Sequence, residues 1–137
     1  MNDYASSPPG SDAEFNQLRM PPHSLEAEQS VLGGLLLENT AWDKIADVVD
    51  EADFYRTDHK MIFQAIARLI ERAQPADVVT IAEQLDKSGQ INEIGGLSYL
   101  ATLAQNTPSA ANIRRYAEIV RERSIMRQLA QIGTEIA

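Results

Sequence analysis

The sequence contains no cysteine, which excludes disulfides, thiolate metal sites and cysteine nucleophiles together. That absence fits a reducing compartment. Its two histidines, His23 and His59, stand far apart, and neither has a second donor at ligand spacing, so no metal site is expected. None of the seven glycines is followed by lysine. The phosphate-cradling loop that ends in Gly-Lys-Ser/Thr is therefore missing, as is the dinucleotide fingerprint. The longest apolar run, Val31 to Leu37, is far too short to span a bilayer. The N-terminus has neither the basic start nor the apolar stretch of a signal peptide. A cytoplasmic chain without membrane contact, without cofactor and without catalytic machinery of its own is the expectation.

What is present is ordinary for one soluble domain: 137 residues, 44% hydrophobic and 23% charged. Without a leader the chain still has roughly 110 residues, enough for one core that needs no staples. The net charge of −8 is unevenly placed. Residues 1–108 carry 7 basic and 17 acidic groups, a balance of −10, whereas residues 109–137 carry 5 basic and 3 acidic, a balance of +2. Affinity for nucleic acid comes largely from neutralising phosphates with Lys and Arg. A head at −10 should repel DNA.

Three regions follow from composition and periodicity. Residues 1–22 hold Ser6, Ser7, Pro8, Pro9, Gly10, Ser11, Pro21 and Pro22 and lack apolar periodicity, which predicts a disordered tail. Within it Phe15, Leu18 and Met20 are either a short docking motif or stray apolar residues. Residues 23–108 read as a globular helical head. Ser24 is placed as an N-cap, with Glu26 and Glu28 favoured by the dipole of the first turn. The helix that follows is apolar on nearly every side, which marks it as central and buried. Gly33 and Gly34 each cost about 1 kcal/mol there relative to Ala, so a close approach by a neighbouring helix is their expected use. Trp42, Ile45, Ala46 and Val49 predict a second helix, and Ile62, Ile66, Leu69 and Ile70 a third, flanked by Phe63 and ended at Ala73-Gln74-Pro75. Val78, Ile81, Ala82 and Leu85 predict a fourth, terminated by Gly89. Val78-Val79-Thr80-Ile81 would suit a strand, but nothing offers it a partner strand. Leu97, Leu100, Leu103 and Ala104 predict a fifth helix facing inward after Gly95-Gly96.

Residues 109–137 predict one unusually long helix of about 28 residues. Its first apolar stripe is Ile113, Ala117 and Val120, and its second is Ile125, Leu129, Ile132 and Ile136. At 100° per residue the second stripe is turned roughly 130° from the first. The first half is expected to pack on the head and the second half on another chain.

Other polar groups have plain readings. Asp53 and Asp58 precede helices and read as caps rather than an acid/base pair. Tyr99 and Tyr116 read as core or rim residues with the hydroxyl at the surface. Arg114, Arg115, Arg121, Arg123 and Arg127 are the only basic concentration, and Glu118 and Glu122 lie within intrahelical reach of several. The alternative is a helical DNA-binding domain that reads duplex with this Arg-rich helix.

The motif Pro21-Pro22-His23-Ser24-Leu25-Glu26-Ala27-Glu28, followed by Val31-Leu32-Gly33-Gly34-Leu35, resembles the N-terminal domain of the DnaB family of hexameric replicative helicases. Three more blocks agree in order and spacing. They are Asp53-Phe54-Tyr55 with His59, Ile62 and Phe63; Gly95-Gly96-Leu97-Ser98-Tyr99-Leu100; and Asn106 to Asn112 with Tyr116, Ala117, Ile119 and Val120. The resemblance covers about residues 21–137. It implies an all-α fold: a compact orthogonal bundle of five to six helices followed by a long helix that is the first arm of a hairpin. It also implies that the second arm, the linker and the ATPase domain lie outside this chain, with ATP, Mg and DNA handled by the full-length protein. Self-association as dimers, and a hexamer built as a trimer of dimers, is implied too, as is docking of the C-terminal domain of primase. On this reading Ile125, Leu129, Ile132 and Ile136 are the candidate subunit interface, and Tyr99 is a candidate primase contact.

Overall fold

The computed structural model describes residues 20–136, with side chains placed as far as Thr134. The tail expected over residues 1–22 falls almost wholly outside this range, as does the side chain of Ile136. Among the described residues there are six α-helices and no strand, so the all-α architecture read from the sequence is the one that forms.

Helix α1 (Leu25–Leu37) begins where Ser24 Oγ accepts the Ala27 N–H at 3.2 Å. Six consecutive residues, Val31 to Leu36, are buried. Each large aliphatic side chain among them contributes about 1.5–3 kcal/mol by leaving water. Helices α5 and α6 pack against α1 most extensively, and Gly33 and Gly34 explain why they can. A Cβ on Gly33 would lie 2.0 Å from Thr107 Oγ1 and 2.5 Å from the Leu103 carbonyl oxygen, while one on Gly34 would meet Ile113 Cδ1 at 3.0 Å.

The second helix is shorter than the spacing predicted. A 3₁₀ turn at Asn39–Ala41 leads into a single α-turn, α2 (Trp42–Ile45), and Ala46 is exposed although Val49 is buried. Asp50 ends the segment by opening a new turn at Glu51–Asp53, accepting from Ala52 N while Asp53 Oδ2 accepts from Asp50 N. Helix α3 (Thr57–Glu71) buries Ile62, Phe63, Ile66 and Leu69 as expected. It closes with Ala73 in the left-handed region (φ 58°) and Gln74 N donating to the Leu69 carbonyl at 2.8 Å. This is the closure usually given to glycine.

Helix α4 (Val78–Lys87) is capped by Asp77 and Thr80 in a reciprocal pair and stopped at Gly89 (φ 76°). Val78-Val79-Thr80-Ile81 is therefore helical. After a 3₁₀ turn at Ile91–Ile94, α5 (Gly96–Gln105) buries Leu100 and Leu103. Leu97, expected to face inward, is exposed: it sits in the first turn, where the chain has just left the core at Ile94. Helix α6 (Ile113–Ile136) crosses α1 and then leaves the core as an arm.

Candidate functional site

Two features gather the polar and apolar side chains that the core does not explain. The first is a buried hydrogen-bonded chain between α1, α3 and α5. Glu28 lies one turn into α1 and is 2% exposed; His59, one turn into α3, is wholly buried. Glu28 Oε1 is 2.7 Å from His59 Nδ1, and Glu28 Oε2 accepts from Tyr55 N at 2.7 Å. On the other side of the ring, His59 Nε2 is 2.6 Å from the Tyr99 hydroxyl, which accepts from Gln29 Nε2 at 3.2 Å. A carboxylate only accepts, so His59 Nδ1–H donates to Glu28. With the Nδ1 proton directed at Glu28, Nε2 is the acceptor for the Tyr99 O–H, while the phenol oxygen accepts from Gln29.

Tyr99 is therefore only half-buried at its ring, but its hydroxyl points inward. This corrects the expectation of a surface hydroxyl: the imidazole offers a buried acceptor that only the phenol can fill. Burial pushes the Tyr99 phenol above its ordinary value, against the opposing hydrogen bond from Gln29. Arg56 closes the outer side of the cluster through a two-point pair with Asp58, including Nε to Oδ1 at 3.0 Å. Asp58 also accepts from His59 N at 2.8 Å. It lies inside the first turn of α3 rather than before it, and the N-cap position is Arg56, so Asp58 is a salt-bridged first-turn acid and not the cap expected from the sequence. That pairing, ahead of desolvation, holds the Arg56 guanidinium more firmly protonated than usual.

The second feature is the arm. Ile113, Ala117 and Val120 are buried against the head, as the first stripe predicted. The head-facing line continues at helical spacing through Ser124, Arg127 and Gln131, so it turns from apolar to polar partway along α6. Arg121 Nη1 donates to Asp53 Oδ1 at 2.8 Å. Arg127 donates to two main-chain carbonyls, Pro22 at 2.8 Å and Asp53 at 2.7 Å, and lies over the Tyr55 ring. Tyr55 in turn stacks on His23, with centroids 4.3 Å apart. Intrahelical pairing accounts for Arg115 with Glu118 and Glu122, and for part of Arg114, which also reaches the Lys44 carbonyl. It does not account for Arg121 and Arg127, which fix the arm to the head.

Turned away from the head, Ile125 is 39% exposed, Met126 48%, Leu129 62% and Ile132 49%. Four large exposed apolar side chains within eight residues of one helix differ from the single exposed hydrophobics usual on a surface. Of the residues marked out from the sequence, three line this face together, the side chain of Ile136 lies outside the described residues, and Tyr99 is on a different part of the molecule. Met126 was missed because it stands beside the stripe rather than on it. Among the described residues no His, Asp and Glu cluster could hold a metal ion, and no helix is long and apolar enough to cross a membrane.

Residues 20–122 match the DnaB-like helicase N terminal domain. The chain is 46% identical over 127 residues to the replicative DNA helicase DnaB of Haemophilus influenzae, a match that covers 93% of this chain and 27% of that protein. It is 45% identical over 125 residues to DnaB of Geobacillus stearothermophilus, with 91% and 28% covered. It spans about a quarter of the length of these relatives. Its fold is similar to the N-terminal domain of DnaB helicase from Mycobacterium tuberculosis, with a TM-score of 0.83, 44% identity and 85% of each chain covered. It is also similar to the N-terminal domain of DnaB helicase from Helicobacter pylori, solved with attention to its interactions with primase (TM-score 0.70, 25% identity, 92% and 95% covered). With the helix order, the glycine-mediated contact between α1 and α5 and these likenesses in agreement, the chain belongs to the DnaB-like helicase N-terminal domain family.

Proposed function

We propose that this chain is the assembly and primase-docking collar of a replicative DNA helicase, and that it carries no catalytic step itself. The observation that carries the reading is the exposed apolar face of an otherwise polar arm, Ile125, Leu129 and Ile132, on a chain of this family. Residues 23–108 then act as the head and residues 109–137 as the first arm of a hairpin that pairs between subunits, as dimers within a hexamer. ATP-driven unwinding, with its Mg and its DNA contacts, belongs to a motor domain outside the residues present here. The docking part of the reading draws support from two relatives described with their interactions with primase, the Helicobacter pylori domain and a DnaB-like replicative helicase of 25% identity and TM-score 0.72. Tyr99 remains the candidate contact: it is half-buried, and its hydroxyl is held by His59.

The DNA-binding alternative loses most of its readers in this geometry. Of the five arginines, Arg114, Arg115, Arg121 and Arg127 each contact carboxylates or carbonyls of the same chain. Calorimetric titration with the C-terminal domain of the cognate primase tests the proposal. Saturable binding that survives high salt is the expected result. Heat only on titration with duplex DNA, and none with primase, would reverse the assignment.

A further inference from the structure

Away from the arm, the head carries a groove whose charges are not matched inside the chain. Two adjoining hollows of about 430 and 350 Å³ lie between the α2 segment and α3 with the loop that follows it, and Trp42 lines both. Their walls include apolar side chains, Ile70 and Pro75 in the first and Val49 and Phe63 in the second. Trp42, the only tryptophan of the chain, rests on Phe63 with ring centroids 5.4 Å apart. It is only partly buried, and its indole N–H has no acceptor among the described residues. A large apolar side chain with an unpaired donor has the composition of an interface anchor.

The rim is acidic. Asp43 lines the first hollow and Asp50, Glu51 and Glu71 the second, against a single cation, Arg68. Lys44 and Arg72, next to Asp43 and Glu71 in sequence, line neither. Asp50 caps its own turn. The exposed carboxylates of Asp43, Glu51 and Glu71 make no hydrogen bond or ion pair among the described residues. In this they differ from Glu28, Asp53 and Asp58, which His59, Arg121 and Arg56 hold.

We propose that this groove docks a cationic segment of a partner protein, with a large apolar side chain in each hollow and Lys or Arg over the rim carboxylates. Charge complementarity commits it to that chemistry. Unpaired carboxylates attract Lys and Arg and repel nucleic acid and anionic lipid, while the apolar walls favour a side chain that a free cation lacks. Two hollows on either side of one indole fit successive anchors of a peptide. No lining residue belongs to the arm or to the Glu28–His59–Tyr99 chain. The inference therefore goes beyond the collar reading and does not rest on it.

Trp42 reports on its own surroundings, because it can be excited beyond the tyrosine band. A synthetic helix-forming peptide of leucine and lysine is titrated into the full chain. A saturable blue shift of the Trp42 emission, weakening as salt rises, is the expected result. Asp43→Asn, Glu51→Gln and Glu71→Gln together should weaken binding about tenfold. Glu83→Gln, Asp86→Asn and Glu93→Gln remove the same charge from exposed positions outside the groove, and affinity should stay within about twofold. An unmoved Trp42 spectrum would overturn the proposal. Equal weakening in the two triple variants would assign the binding to net charge and likewise overturn it, as would equal affinity for a leucine–glutamate peptide.

Discussion

Asp53 holds Arg121, 68 residues away in sequence, through a single carboxylate oxygen at 2.8 Å, while its other oxygen caps the turn in which it sits. Its main-chain carbonyl accepts from Arg127 as well. One buried residue thus fixes both a local turn and the direction of the arm. Asp53→Ala removes a cap and a charge-assisted bond, and a loss of about 2 kcal/mol is expected, less than for a fully buried pair because Arg121 is half exposed. Chemical denaturation measures it. Asp53→Asn has a single acceptor oxygen, so keeping the cap turns its NH2 toward Arg121 and gives up that contact; it should lose about half as much as Asp53→Ala. Equal losses for the two variants would place the effect in the arginine contact alone, and no loss for Asp53→Asn would place it in the turn alone.

Gly33→Ala tests the closest helix approach. The added methyl would overlap Thr107 Oγ1 and the Leu103 carbonyl, one of which is rigid backbone. Separation of α1 from α5 is expected to cost about 1–3 kcal/mol despite alanine's better helix propensity. Thr107→Ser leaves these contacts in place, because Oγ and Cβ both stay. A neutral or stabilising Gly33→Ala in thermal denaturation would contradict the close packing.

The Tyr99 phenol is raised from its ordinary value of 10.0, chiefly by burial. A raised acid binds its proton more tightly in the folded chain than in the unfolded one. The resulting stability is fully present below about pH 10 and is lost as pH rises through the folded value. The melting temperature should therefore fall more steeply above pH 10 in the parent than in Tyr99→Phe. At neutral pH Tyr99→Phe should be the less stable protein by about 1–2 kcal/mol, since His59 Nε2 loses its partner. Parallel pH profiles for the two proteins would exclude the buried phenol as the source.

Ala73→Gly is expected to stabilise. Ala73 holds a left-handed conformation at the end of α3, which costs an L side chain about 1 kcal/mol and glycine almost nothing. Some of that gain is offset by glycine's freedom in the unfolded chain, so a net rise of about 0.5 kcal/mol is predicted. A lowered denaturation midpoint would mean that the Ala73 methyl makes a contact worth more than the strain.

Leu129→Asp with Ile132→Asp charges the exposed row without touching the core. Self-association measured by sedimentation should weaken while helicity is retained, because both side chains are about half exposed or more in the single chain. Unchanged sedimentation would show that the subunits pair elsewhere.

The helix order, the close packing at Gly33 and the outward turn of the second stripe were legible because each leaves a local mark: a period, a glycine or a cap. The Glu28–His59–Tyr99 chain was not. Its members lie 31 and 40 residues apart, and Glu28 looked like any first-turn acid until α3 placed an imidazole beside it. Arg121 and Arg127 were misread for the same reason, since neighbouring glutamates offered a local partner and the true partners, Asp53 and Pro22, come from the far end of the head. Spacing also overextended α2, because Val49 stays buried in a loop at a position that a helix would have given it.

The place where α6 leaves the head has a mechanical meaning. A helix of 24 residues is about 36 Å long, and roughly two-thirds of it lies beyond the last buried apolar contact at Val120. Swinging that part by about 10° about its base would carry its tip about 4 Å sideways, at a rise of about 1.5 Å per residue. The arm is a lever with its fulcrum at a pair of arginine contacts, so an adjustment too small to disturb the head becomes a displacement of side-chain size at the tip.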